Sequence, residues 1–277
     1  MIGAPLSGAI LQFWDGNLGL RGWQWLFLVE GLPSVLAGLA YLLFLPDNPV
    51  KAAWLTEQER DTIRRDITDS EAAAAVQGQL FTAGAVFSSL RIWLLCLAYM
   101  TGTIALYAVS FWMPTLIQQF GIAKGDYLMI GLLAMIPWGI MAVGQVFWAR
   151  HSDYTGERRW HSFGGYVIAA AGFVLLAFRA MDENFGLLAL TLITTGLGFS
   201  IVTFWPIAHR YLPGLAAATG IALINSMGGV GGYIGPTLIG WMGIRMDGSV
   251  SPAFVLLAGI TLVGGMILLG ASREGKQ

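Results

Sequence analysis

Charge in this sequence is confined to short intervals, and the stretches between them carry none. The charge-free runs are Ile92–Ala123, Tyr127–Ala149, Ser162–Phe178, Phe185–Ala208, Tyr211–Ile244 and Gly248–Ser272. A helix of about 20 apolar residues crosses roughly 30 Å of hydrocarbon, and each run can hold one. Gly22–Leu45 is a seventh candidate, interrupted only by Glu30. Ile2–Trp14 is an eighth, but a helix that short rises only about 20 Å and cannot cross alone. Strands are excluded, because the runs are continuous rather than alternating and an open sheet edge is not viable in lipid. The expected fold class is an all-α integral membrane protein.

Composition narrows the function classes. The chain is 56% hydrophobic and 11% charged, against about 25% charged in soluble domains. A net charge of -1 leaves no broad basic face, so nucleic acid is not an expected partner. Cys96 is the only cysteine, so neither an intrachain disulfide nor a cysteine metal cluster is expected. His151, His161 and His209 lie in or next to polar intervals, and no H-E-x-x-H constellation is present. An enzyme is therefore not expected, nor a metal or cofactor. A channel would need a filter of carbonyls or a ring of charge, and no such segment is visible. The first residues lack the charged region and cleavage site of a secretory leader.

Charge asymmetry sets an expected orientation. With both termini cytoplasmic, the inside holds 11 lysines and arginines: Lys51, Arg60, Arg64, Arg65, Arg91, Arg150, Arg158, Arg159, Arg210, Arg273 and Lys276. The outside holds 4: Arg21, Lys124, Arg179 and Arg245. The opposite orientation would break the positive-inside rule. One interval stands apart. Residues 46–90 are polar, and Thr56-x-x-Glu59 reads as a capping box opening a short helix with Ile63 and Ile67 on one face. Ala72–Gln79 reads as a loosely ordered linker. This interval divides two segments (residues 1–45) from six (residues 91–277). Such a division is expected of a larger protein whose earlier helices lie outside the chain. The alternative is a true start at Met1 with a re-entrant first segment.

The strongest local signal is Ala149-Arg-His-Ser-Asp-Tyr-Thr-Gly-Glu-Arg-Arg-Trp-His161. It resembles the G-x-x-x-D-R-x-G-R-R loop of the major facilitator superfamily. Asp153, Gly156, Arg158 and Arg159 match with one residue of play; Ala149 and Tyr154 depart from it. Gly156 allows a tight bend, Asp153 can accept from a helix N-terminus, and the arginines can snorkel to anionic headgroups. Plain positive-inside anchoring is the alternative role. Further matches are Gly3-Ala-Pro-Leu-Ser-Gly8, Gly22-Trp-Gln-Trp-Leu-Phe-Leu-Val-Glu-Gly-Leu-Pro33, Leu45-Pro-Asp-x-Pro49, Trp54-Leu-Thr-Glu57, Ser110-Phe-Trp-Met-Pro114 and Gly220-Ile-Ala-Leu-Ile-Asn-Ser226. Together these resemble the anion:cation symporter family, and more narrowly its bacterial tartrate, phthalate and sugar-acid members.

The resemblance implies a six-plus-six plan in which this chain supplies helices five to twelve: two helices of the first bundle, a cytoplasmic central loop and a complete second bundle. It implies symport of a small organic anion with a cation, usually a proton, through a multi-pass bacterial inner-membrane protein expected to be monomeric. A non-transporting fragment is the alternative. The fold further implies that helices five, seven, eight, ten and eleven of that plan face the cavity. Asn225 is the first candidate there, since its amide can donate and accept; an interhelical hydrogen bond is the alternative. Trp205 can wall the cavity or anchor at an interface. Tyr107 and Ser110 share a helix face. Gln145 and Gln12 are candidates whose alternative role is packing. Glu30 is the only acid within a span, and its position near one end suggests a structural role. Gly228/Gly232 and Gly231/Gly235 have small-xxx-small spacing, and with Pro236 offer either a hinge or tight packing. No mid-membrane cation–acid pair is evident for holding an anion and carrying a proton.

Overall fold

The computed structural model describes residues 2–46, 52, 54–78, 83–122, 125–179, 183–212 and 215–272. Lys51, Lys124, Arg273 and Lys276 of the charge count lie outside these residues, as do Asp47, Pro49 and Gln79. The described chain forms helices α1 (Gly3–Phe13), α2 (Gly22–Phe44), α3 (Glu57–Gly78), α4 (Ala83–Ser88), α5 (Leu90–Gln118), α6 (Tyr127–Thr155), α7 (Arg159–Arg179), α8 (Glu183–His209), α9 (Leu215–Arg245) and α10 (Ser251–Ala271).

Among the described residues, six helices are long and apolar enough to span: α2, α5, α6, α7, α8 and α10. α9 has the length, at 31 residues. α1 has 11 residues, too short to cross, as its sequence indicates.

α5 to α10 pack together as one bundle. α7 lies between α8 and α10, α5 lies against α9 and α10, and α6 packs on α8. Small residues set the closest approaches. A Cβ on Gly165 would meet the Gly196 carbonyl at 2.6 Å, and one on Gly172 the Ile193 amide at 2.8 Å, so α7 and α8 touch backbone to backbone. Buried hydroxyls bridge the helices. Tyr166 Oη donates to Ala98 O on α5 (2.7 Å), and Thr194 Oγ1 to Pro137 O on α6 (3.2 Å). Such bonds are worth about 1 kcal/mol each in a membrane.

These contacts fix the helix directions. Gly264 of α10 faces Thr101 of α5, and Arg159, which opens α7, reaches Leu269 near the end of α10. α5, α7 and α9 therefore run one way and α6, α8 and α10 the other. One end of the bundle then collects Arg91, Arg150, Arg158, Arg159 and Arg210. α1 lies antiparallel on α6, with Gly8 against the Tyr127 carbonyl and Gly131 against the Ala4 carbonyl. α2 packs on α1 and buries only Gly22.

The capping box at α3 is present. Thr56 N and Thr56 Oγ1 donate to Glu59 Oε2 (2.9 and 2.8 Å), and Glu59 N donates to Thr56 Oγ1 (3.3 Å). The expectation of a loosely ordered linker from Ala72 is overturned: α3 continues to Gly78. The Ala72–Ala75 run has high intrinsic helix propensity and extends a helix already nucleated at its cap. The Thr56 backbone N–H, then its hydroxyl, hold the Glu59 carboxyl below the usual glutamate range. A depressed acid stabilises the fold above its unfolded pKa, and that contribution is lost as pH falls through the folded value. In a carboxyl NMR titration, Thr56→Ala is expected to raise the Glu59 titration only part of the way, because the backbone N–H of residue 56 still donates to the carboxylate. An unshifted titration in that variant would contradict the cap.

Candidate functional site

The seam between α5 and α9 is the closest helix contact beside the candidate residues. A Cβ on Gly231 would stand 2.5 Å from Thr103 Oγ1 and 2.6 Å from Met100 O. One on Gly228 would meet the Tyr99 ring at 2.5 Å, and one on Gly235 would collide with the Ile104 carbonyl. Gly232 instead meets the Tyr107 ring at an ordinary 3.4 Å, and Gly229 faces open space. Gly228, Gly231 and Gly235 are thus the packing glycines, and the Gly228/Gly232 pair is only half engaged. Trp112 Nε1 donates to Pro236 O across the same seam (3.2 Å).

Beside this seam runs an open face. Asn225, Ser226, Val230, Tyr233 and Thr237 form one exposed stripe along α9. Ser226, Val230, Tyr233 and Thr237 recur every three to four residues and share one side of the helix, and Asn225 borders that side. Asn225 makes no hydrogen bond among the described residues, so its amide does not serve as an interhelical link there. Tyr107, 43% exposed, borders the stripe through Gly232 and stacks on Phe111 with centroids 6.2 Å apart. Ser110 is half-buried and donates to Leu106 O on its own helix (2.7 Å).

Trp205 is half-buried on α8, next to Tyr99 (5.3 Å) and Phe204 (5.6 Å). An aromatic group thereby continues the α5–α9 surface onto α8. Tyr99 was not a sequence candidate. Its only signal is the four-residue spacing of Tyr99, Thr103 and Tyr107, which marks one helix side without saying what that side meets.

Three candidates lie in other settings. Gln12 Oε1 accepts from Leu128 N (2.9 Å), so α1 satisfies an orphan amide in the first turn of α6. This is the packing role open to it. Gln145 is half-buried against Gly198 of α8, where a Cβ would meet its Nε2 at 2.7 Å. Glu30 accepts from Ser7 Oγ (2.5 Å) and ties α2 to α1.

The loop between α6 and α7 differs from its sequence reading in two respects. Gly156 takes φ +67 and closes α6, as its bend requires. Asp153 does not cap α7; it pairs with Arg158 at 3.0 Å. Glu157 is the cap, accepting from Arg159 N (3.1 Å) and Trp160 N (2.8 Å). Glu157 stands closer in sequence to the first free amides, so the shorter closure falls to it. Arg159 does not simply snorkel: its Nε donates to Leu269 O (3.0 Å) and satisfies the end of α10. Glu157→Ala is expected to cost about 1 kcal/mol as a lost helix cap. Asp153→Ala is expected to cost less, as an exposed ion pair worth about 0–1 kcal/mol. Melting of the two variants checks the order, and the reverse order would restore Asp153 as the cap.

Residues 1–236 match the description of the Major Facilitator Superfamily. The chain belongs to that superfamily. It is a multi-pass membrane protein of a transporter family. It is 37% and 39% identical to two proteins of Agrobacterium vitis, each named "Putative tartrate transporter", over all of this chain and 60% and 62% of their lengths. It is 35% identical to a quinolone resistance transporter of Acinetobacter baumannii, over 97% of this chain and 60% of that protein. The chain thus spans about three fifths of the length of these superfamily relatives.

Proposed function

We propose that the chain forms the greater part of a transporter for a small organic anion of the tartrate, phthalate or sugar-acid class. Transport is by proton symport with alternating access. The observation that carries this reading is the open α5–α8–α9 face. There the exposed amide of Asn225 lies on α9, Tyr107 on α5 meets Gly232 of the same helix, and Trp205 on α8 meets Tyr99 of α5. An amide and phenol can hydrogen-bond a carboxylate or hydroxyl, and the rings can cover its carbon chain. The names of the Agrobacterium vitis relatives support the substrate class.

In this reading α1 and α2 are the last two helices of a first bundle, residues 46–90 are the central cytoplasmic loop, and α5 to α10 are the second bundle. Both termini are cytoplasmic, in a bacterial inner membrane, and the arginine-rich bundle end faces inward. Four further helices complete the machine and supply the cation that holds the anion and the acid that carries the proton. The barely buried surface of α2 supports this. An in-frame extension upstream of the Met1 codon, encoding about four helices, is the simplest test of that arrangement.

The complete gene, expressed in cells lacking their own tartrate uptake, is expected to take up one of tartrate, galactonate or phthalate in preference to a quinolone. A protonophore is expected to abolish the accumulation. Accumulation that survives the protonophore would remove proton symport, and uptake of the quinolone alone would remove the anion class.

A further inference from the structure

Two imidazoles meet where α6 ends and α7 begins. His151 Nδ1 lies 2.7 Å from His161 Nε2, and His161 Nδ1 lies 3.3 Å from Glu157 Oε2. The two rings are held unequally. Glu157 is fixed as the cap of α7, accepting from Arg159 N and Trp160 N. The Trp148 ring meets His161 edge-on at 5.3 Å and stacks on Phe199 of α8 at 4.4 Å. His161 is half-buried between these groups, whereas His151 is exposed. A carboxylate only accepts, so Glu157 sets a proton on His161 Nδ1. His161 Nε2 then accepts from His151 Nδ1–H. One further proton fits on His151 Nε2, which has no hydrogen-bond partner among the described residues. A second has only His161 Nε2 left, and would set one N–H against another across 2.7 Å. Glu157 is the charged partner of the pair. On α6, Arg150 is exposed and Asp153 pairs with Arg158 at 3.0 Å. Arg159 of α7 donates to Leu269 O of α10. On α8, Phe199 and Ser200 face Trp148 and Ser162 without charge, and His209 lies against Trp205 at 6.1 Å. Beyond α8, Arg210 lines a cavity with Arg158 and Arg159, and Arg91 of α5 lies over the Tyr211 ring.

We propose that the His151–His161 contact is a proton-operated latch between the end of α6 and the start of α7. It is closed while the pair holds at most one added proton, and it opens when both rings are imidazolium. Imidazoles change charge between about pH 5 and 8, so the latch works in that interval. The open form binds more protons than the closed one, so falling pH favours opening. Opening releases the exposed His151 ring, while Glu157 and Trp148 keep His161 in place. In the proposed orientation the latch faces the cytoplasm. That placement rests on the transport reading; the latch itself does not.

The test uses the purified 277-residue chain in phosphatidylcholine nanodiscs, isotope-labelled on its histidine nitrogens for NMR. The chain has 3 histidines, so His209 serves as an internal reference. At about pH 8, both His151 and His161 are expected in the Nδ1–H form that the contact requires. Melting gives the second readout. At about pH 8 the chain is expected to melt roughly 2–4 °C above His151→Ala, the shift of one hydrogen bond in a chain of this size. By about pH 5 the gap is expected to vanish. A contact that only braces the loop would keep the gap at both values. His151 is exposed, so its truncation leaves the core intact. His161→Phe, which keeps a ring against Trp148, decides by the same criterion if His151→Ala does not fold. An Nε2–H form of His151 at about pH 8, no gap there, or a gap that persists to about pH 5 overturns the proposal.

Discussion

Gly235→Ala is expected to lower the stability of the chain by roughly 2–3 kcal/mol, the upper range for overpacking a close contact. The added methyl would collide with the Ile104 carbonyl and approach Ala108 N at 3.0 Å. Backbone atoms cannot swing aside as a side chain can, so α9 would have to move away from α5. Gly229→Ala is expected to do the opposite. Nothing lies within 4 Å of its Cβ position, and replacing a mid-helix glycine by alanine gains roughly 0.5–1 kcal/mol. Gly232→Ala, against the Tyr107 ring at 3.4 Å, falls between. Melting of the three variants in one detergent reads the order directly. Equal effects at Gly229 and Gly235 would mean that the α5–α9 seam is not held as described.

Asn225→Ala, made in the complete transporter, is expected to weaken apparent substrate affinity about 10- to 100-fold. The estimate is one hydrogen bond to a charged group, about 1.5–3 kcal/mol, at 1.4 kcal/mol per tenfold. Asn225 is exposed and makes no hydrogen bond among the described residues, so its truncation breaks none there. Membrane abundance should therefore stay level while half-saturation rises. An unchanged half-saturation would take Asn225 out of the site. A loss of abundance with no change in affinity would make it a folding residue.

The helices were legible because their signal is an absence. Hydrocarbon excludes charge, so charge-free runs mark α5 to α8 and α10 closely. The capping box at Thr56 and Glu59 was legible for a similar reason, since both partners lie within one turn. Residues whose role depends on helix rotation were not. Small-xxx-small spacing on α9 marks two stripes, Gly228/Gly232 and Gly231/Gly235, about 60° apart around the helix at 3.6 residues per turn. Only the packed structure shows α5 lying over Gly228, Gly231 and Gly235. Tyr99 was missed for the same reason: its spacing from Thr103 and Tyr107 marks a helix side but looks alike whether that side meets lipid, core or Trp205. In the α6–α7 loop, Asp153 and Glu157 are both acids near a helix start. The loop closure at Gly156, not the motif, gives the cap to Glu157.

The proposed anion-handling face on α5, α8 and α9 requires charge supplied from outside this chain. Tartrate accumulation in proteoliposomes under an inward proton gradient tests this most directly. The 277-residue chain is compared with the full-length 39%-identical Agrobacterium vitis relative, of which it covers 62%. The longer protein is predicted to accumulate tartrate and the chain alone to stay at the level of empty liposomes. Proton-driven accumulation by the chain alone would contradict the account.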